Sequence, residues 1–248
     1  MTALQGSLTF RFSTISLRRP NAPLTESFVM TTGNQSLQFG DYTVTIVVSE
    51  PPWYQNCFVV QKGQGGEQVV IDPGAEPSRV VEQIEANGGK ATDVLLTHGH
   101  PDHISGVRGV QDALDIPCRA HPDEQPVLDQ AVSMAAMMMG MQLQAPKDLQ
   151  YFDADAPLNV LGDEVRVIHT PGHTPGGVCF VFDGFAFTGD TLFNHGVGRT
   201  DLPGGNGQTL FASITRFLSE VPDDTVLFSG HGPHWTAGEA SQWWKQAF

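Results

Sequence analysis

Residues 93–103 read DVLLTHGHPDH, an apolar run that ends on three histidines and an aspartate packed into the seven positions THGHPDH. The run has the β-branched and aliphatic character of a buried strand. Pro101 stops the extended chain, and Asp102 stands where it would cap a helix beginning near His103. His98 and His100, two apart, can face the same side at the strand end and chelate one ion. Asp102 and His103 come after the bend and address a neighbouring position. The spacing therefore predicts two adjacent ions, and two ions need more than four ligands.

The remainder of the chain offers those ligands at the ends of three further predicted strands. They are His173 in HTPGHTPG, Asp190 in FTGDTLF and His231 in FSGHGP, each a polar residue beside glycine after an apolar lead. Imidazole suits zinc or iron, and a carboxylate can bridge two cations because each oxygen has its own lone pairs. Mixed nitrogen and oxygen ligands without thiolate leave zinc, iron and manganese open. Taken singly, a histidine in a glycine-rich loop is a turn or surface group, and Asp190 can simply shape a turn; the joint occurrence points to metal. His121, His169, His195 and His234 lack the strand-end setting and are read as structural.

Strand-like segments lie at 43–48, 57–60, 68–72, 93–97, 165–170, 178–182, 185–190 and 225–230. Helical spacing appears in PSRVVEQIEANGG, ISGVRGVQDAL, PDEQPVLDQAVSMAAMMMG, GQTLFASITRFLSEV and GEASQWWKQAF. Alternating strands and helices imply an α/β chain with helix-covered sheets. Its two halves have similar layouts and meet at the polar stretch 145–159. In the methionine-rich helix, Met134, Met138 and Met141 share one face, and packing is the preferred reading over a roof on the active site. Leu8, Phe10 and Phe12 alternate as a half-exposed strand would, although the Arg- and Ser-rich setting is also that of a transit peptide.

A formal net charge of −14 and the lack of a basic run argue against a nucleic-acid surface. No apolar run is long enough to cross a membrane, so a soluble, cytoplasmic protein is expected. Cys57, Cys118 and Cys179 are too dispersed for a disulfide framework and are read as small buried residues. Oligomeric state leaves no mark in the sequence.

The filled set of His98, His100, Asp102, His103, His173, Asp190 and His231 resembles the signature of the metallo-β-lactamase superfamily, HxHxDH followed by a lone His, an Asp and a final His. That resemblance implies a four-layer αβ/βα sandwich with metals at one edge. It also implies that His98, His100 and His173 hold one metal and Asp102, His103 and His231 the other, with Asp190 bridging. YQNCFVV, VIDPGAE, LLTHGHPDHISG, IHTPGHTPGGVCF, GDTLFNHGVGRTDLPGG and SGHGPHWTAGE are similar to short glyoxalase-II-type (hydroxyacylglutathione hydrolase-like) proteins over residues 42–240. We divide the chain into an N-terminal extension at 1–40, packed on or leading into the domain, and a metallo-β-lactamase-like catalytic domain at 41–248. Few residues follow His231, so no counterpart is expected to the helical domain with which long hydroxyacylglutathione hydrolases help to bind glutathione.

The expected activity is thioester hydrolysis, on an acylglutathione such as S-lactoylglutathione. A thiolate, with an ordinary pKa of about 8.5, leaves without a dedicated general acid. An amine would need protonation. Arg199 in the GRTD loop is the candidate contact for the anionic substrate, against the plainer reading of an ion pair with Asp201. Asp72 in the DPG turn is the candidate to orient a metal-binding histidine from behind. Three alternatives use the same residues: a mononuclear iron persulfide dioxygenase held by His98, His173 and Asp190, a lactonase, and a metal-bearing binding module without turnover.

Overall fold

The computed structural model describes residues 29–31, 34–74, 76–153 and 156–248. The alternating segment around Leu8 to Phe12 lies outside them. The first sheet comprises β1 (Val29–Thr31), β2 (Asn34–Phe39), β3 (Tyr42–Val48), β4 (Asn56–Lys62), β5 (Gln68–Ile71), β6 (Ala91–Leu95), β7 (Cys118–Ala120) and β8 (Leu149–Tyr151), paired in that order. The first five strands run antiparallel. From β5 onward the pairs are parallel, each linked through helix: α1 (Pro77–Ala86), then α2 (Pro101–Ile104) with α3 (Val107–Leu114), then α4 (Gln125–Met134).

The second sheet holds β9 (Leu158–Val160), β10 (Asp163–His169), β11 (Val178–Val181) and β12 (Phe185–Gly189). A small hairpin follows, β13 (Leu192–Phe193) and β14 (Gly196–Val197), and after α5 (Gly207–Glu220) come β15 (Val226–Ser229), β16 (Trp235–Thr236) and α6 (Ala237–Ala247). The spatial order is β16-β15-β12-β11-β10-β9, with β12 and β15 parallel.

The two-residue period of the strands sorts their side chains into layers. On β4, Phe58 and Val60 face the other sheet, whereas Cys57 and Val59 face α1, α3 and α4 through Val80, Ile84, Val107, Val110 and Leu128. On the opposite sheet Phe185 and Phe187 of β12 enter the same inter-sheet core, while Ala186 turns outward to Leu210, Ile214 and Phe217 of α5 and Trp244 of α6. Strands covered on both faces read as continuous apolar runs, which is why DVLLT and FAFTG stood out in the sequence. The result is the four-layer αβ/βα sandwich that was expected. Among the described residues no helix is long and apolar enough to cross a membrane.

Leu37 and Phe39 of β2, within residues 1–40, pack into the inter-sheet core through the β2–β3 hairpin. Several local expectations change. The helix read over ISGVRGVQDAL is two helices interrupted at Ser105 and Gly106, where a Cβ on Gly106 would lie 2.0 Å from the Gly74 carbonyl oxygen. Asp102 does not cap it; His100 is the N-cap and Pro101 the first turn, as proline's fixed φ favours. The methionine helix widens into a π-turn at Ala135–Met139, which rotates the face: Met134 is buried, but Met138 is 46% exposed. Cys57, Cys118 and Cys179 are buried and unbridged, and burial pushes each thiol upward.

Candidate metal centre

Parallel pairing brings the carboxyl ends of β5 and β6 to one rim of the first sheet, and those of β12 and β15 to one rim of the second. The two rims meet. Asn56 N–H donates to the Gly230 carbonyl (2.7 Å), Val178 N–H donates to the Thr97 carbonyl (3.0 Å), and Gln55 bridges to His231. Asp72, the HGHPDH loop, Asp190 and His231 are thus delivered from separate strands to one place, the usual ligand position in such sheets.

His98, His100 and His173 form one compact group, each no more than 4% exposed, and Asp102, His103 and His231 form a second; within each group the ligand atoms lie within 4.8 Å of one another. Asp190 sits between them: its Oδ1 is 3.1 Å from His103 Nε2, and its Oδ2 is 3.6 Å from His173 Nε2 and 3.8 Å from His231 Nε2. Asp102 Oδ2 lies 3.1 Å from His231 Nε2. All seven candidate residues therefore converge.

The hydrogen-bond network sets the tautomers, with lone pairs turned inward. His173 Nδ1 donates to the Arg199 carbonyl (2.7 Å), and His231 Nδ1 donates to the Trp53 carbonyl (3.2 Å). His103 Nδ1 donates to Asp72 Oδ2 (2.9 Å). Asp72 also accepts the Thr97 hydroxyl and the Thr97 N–H (2.7 Å), so the Thr97 oxygen is left to accept from His98 Nδ1 (3.1 Å). Asp72 thus stands behind His103 directly and behind His98 through Thr97, where it fixes ring orientation.

Nε2 of His98 and His100 are buried with no hydrogen-bond partner among the described residues, while Nε2 of His103 and Oδ1 of Asp190 face each other at 3.1 Å. Buried polar atoms are normally satisfied. The bare Nε2 lone pairs of His98 and His100, set beside the Asp190 carboxylate and the His103 ring, fit divalent cations, which would take the place of the His103 proton. Burial lowers His98 well below the ordinary histidine range and takes His100 down to about 3, so both are bare at neutral pH. Burial also opposes charge on His103, but Asp190 and Asp102 outweigh it and hold that ring well above its usual value. The same coupling, against burial, holds Asp190 well below and Asp102 below the carboxylate range.

Arg199 forms the plainer of its two contacts: its guanidinium makes a two-pronged ion pair with Asp201, both distances 2.7 Å, at the exposed surface. Sequence reasoning passed over Thr97, the link to His98, and Glu124, which is 1% exposed and bonded to two of the ligand-bearing loops. Thr97 heads the THGHPDH run but is not of a metal-ligating type, and Glu124 stands outside every such run. His121 and His169, read as structural, stack on each other at 4.1 Å and with Asp123 make a further histidine–carboxylate group. Their parallel ring planes cannot both aim in-plane lone pairs at one ion.

The family model described as the metallo-beta-lactamase superfamily matches residues 51–231. A hydroxyacylglutathione hydrolase, GloC, of Haemophilus influenzae is 30% identical over 78% of this chain and 92% of its own length. Among solved structures, TTHA1623 in a di-iron-bound form is 36% identical with a TM-score of 0.71, covering 79% of this chain and 96% of that one. The B3 metallo-beta-lactamase BLEG-1 is 31% identical with a TM-score of 0.74, covering 81% and 96%.

Proposed function

This chain belongs to the metallo-β-lactamase superfamily, a family of metallohydrolases, and we propose that it is a binuclear hydrolase that cleaves a thioester, in substrate class an acylglutathione such as S-lactoylglutathione. The observation that carries the reading is Asp190 standing between the two ligand groups with an oxygen toward each. Similarity to GloC along nearly the whole of that protein supports the thioester. The similarity to BLEG-1 makes a β-lactam the obvious competitor.

Two divalent cations held there, zinc in the first place and iron or manganese as alternatives, would supply Lewis acidity and a water acidified from about 15.7 to about 7. His98, His100 and His173 would hold one and Asp102, His103 and His231 the other. The chain's own part is orientation. Asp72 and the carbonyls of Arg199 and Trp53 lock the rings, so no reorganisation is needed when charge develops at the reacting carbonyl. Asp102 and Asp190 stay ionised under the influence of His103 and His231, ready to accept cations and to orient a water between them. A thiolate leaving group needs no protonation step from the protein.

Arg199 would meet the anionic end of the substrate. Its backbone carbonyl already holds His173, so its side chain starts beside the centre, and its exposed partner Asp201 is readily exchanged for a substrate carboxylate. The partner is a small molecule; a net charge of −14 speaks against nucleic acid.

The test combines metal quantification on the native protein with turnover of a panel: acylglutathiones, lactones, a β-lactam, and glutathione persulfide with oxygen uptake. Two ions per chain with thioester cleavage is the expected result. One iron per chain with oxygen consumed on the persulfide and no thioester cleaved overturns it in favour of a dioxygenase.

A further inference from the structure

We propose that Glu124 is a positioning residue of this centre, its buried carboxylate clamping together the two loops that carry His98, His100 and His173. The proposal rests on reading that histidine group as a metal site, though on no particular substrate.

Glu124 ends a short 3₁₀ turn, Pro122–Glu124, and is the N-cap of α4. Its Oε1 accepts the Gly99 N–H at 2.8 Å and its Oε2 accepts the Gly176 N–H at 2.8 Å. Gly99 lies between His98 and His100, on the loop that leaves the first sheet. Gly176 lies three residues past His173, on the loop that enters the second sheet at β11. A single carboxylate thus spans both sheets just behind the first ligand group.

Burying a carboxylate without a cationic partner is expensive, several kcal/mol by general experience with buried ions. Among the described residues no Lys or Arg pairs with Glu124, and burial raises it to about 7 although bonds from the Gly99 amide, the Thr174 hydroxyl and the Gly176 amide pull the other way. A glutamine would be cheaper to bury. It has only one acceptor oxygen, however, and would set its NH₂ against one of the two glycine N–H groups. Two opposed amide donors require two acceptor oxygens, which a carboxylate has and an amide lacks.

The fit around the clamp leaves no slack. A Cβ on Gly176 would lie 2.3 Å from the Glu124 backbone nitrogen, and one on Gly99 would lie 2.8 Å from Leu128 Cδ2, one turn further along α4. The start of α4 is therefore wedged between the loops, and the carboxylate holds both against it. The spacing that results is the 2.8 Å between His100 Nδ1 and His173 Nε2.

The experiment compares wild type, Glu124→Gln and Leu128→Ala. Cobalt(II) equivalents are titrated by competition with a chromophoric chelator, and amide exchange at Gly99 and Gly176 is followed by ¹⁵N NMR in the metal-free proteins. In wild type both glycine amides should exchange as slowly as core amides. In Glu124→Gln one cobalt equivalent should bind at least 10-fold more weakly while the other is unchanged, and exchange at Gly99 or Gly176 should rise at least 10-fold above its neighbours. Leu128→Ala, which loosens packing but keeps the carboxylate, should keep both equivalents. The clamp is refuted if wild-type Gly99 and Gly176 exchange like exposed loop amides, if Glu124→Gln keeps both equivalents at full affinity, or if it weakens both alike with faster exchange throughout. None of these readouts involves turnover, so a chain that cleaves no thioester leaves the test standing; a wild type that binds no cobalt defeats the metal reading, and amide exchange still judges the clamp.

Discussion

His100 Nδ1 lies 2.8 Å from His173 Nε2, although 73 residues separate them in the chain. The far nitrogen of His173 already donates to the Arg199 carbonyl, so the near one carries a lone pair aimed at His100. Burial keeps His100 unprotonated at neutral pH. A neutral His100 keeps one ring proton, which on Nδ1 donates to that lone pair and leaves its own Nε2 bare; a cation bound there would replace this hydrogen bond.

Single-ligand variants should therefore separate the two groups. His173→Ala removes a member of the first group only and should lower metal content from two ions to one. Asp190→Ala takes away an oxygen from each side and should remove most of the metal and at least 100-fold of the activity. Metal analysis on the purified variants checks both, and full occupancy in Asp190→Ala would refute the bridging assignment.

The pH dependence of the metal-free protein has a definite sign. His103 is held above its ordinary value, so its contribution to stability is complete below about pH 6.5 and fades as pH rises through the raised value. Asp102 and Asp190 are held below theirs, so their contribution is present above about pH 4 and fades as pH falls. His98 and His100 are held below the ordinary histidine value by burial, so folding loses stability as pH falls below about 6.5, and stability without metal should peak near that pH and decline on either side. Adding metal displaces the His103 proton and should abolish the alkaline decline, as melting curves with and without chelator would reveal; identical curves would contradict the assignment.

Gly230 offers a way to disturb the centre without altering a candidate ligand. A Cβ there would lie 2.3 Å from Asp190 Oδ1 and 2.4 Å from His103 Cε1. Gly230→Ala should cost about 1–3 kcal/mol by overpacking and reduce activity far more than that loss of stability accounts for. Thermal melting beside turnover tests this, and wild-type activity would mean that Asp190 and His103 are freer to move than their burial implies.

Asp72→Asn keeps the shape of the carboxylate but cannot accept from both Thr97 and His103 as Asp72 does. An unsatisfied buried donor costs about 1–3 kcal/mol, and losing the support behind a metal-binding histidine typically costs about 10–100-fold in metal affinity. Chelator competition measures the second effect directly. Unchanged affinity would reduce Asp72 to a turn residue.

Arg199→Ala removes an exposed ion pair and should leave the melting temperature unchanged. If the guanidinium meets the substrate's anionic end, KM for an acylglutathione rises several-fold with kcat preserved, and a neutral thioester is unaffected. Equal effects on both substrates would remove Arg199 from the substrate site.

The sequence by itself determined the candidate ligand set and the fold class. HGHPDH and the strand-end His173, Asp190 and His231 are local signals, polar residues next to glycine after an apolar run, and apolar runs in the strands with helical spacing between them mark the two sheets and their covering helices. Other features belong to the tertiary structure alone. Whether Asp102 caps a helix or occupies its first turn depends on where Pro101 starts that helix, and the exposure of Met138 depends on a π-turn that helical spacing does not encode. Thr97 and Glu124 gain their places from partners 25 or more residues away in the chain. A buried carboxylate is chosen by the donors that surround it, and those donors come together only when the two sheets close.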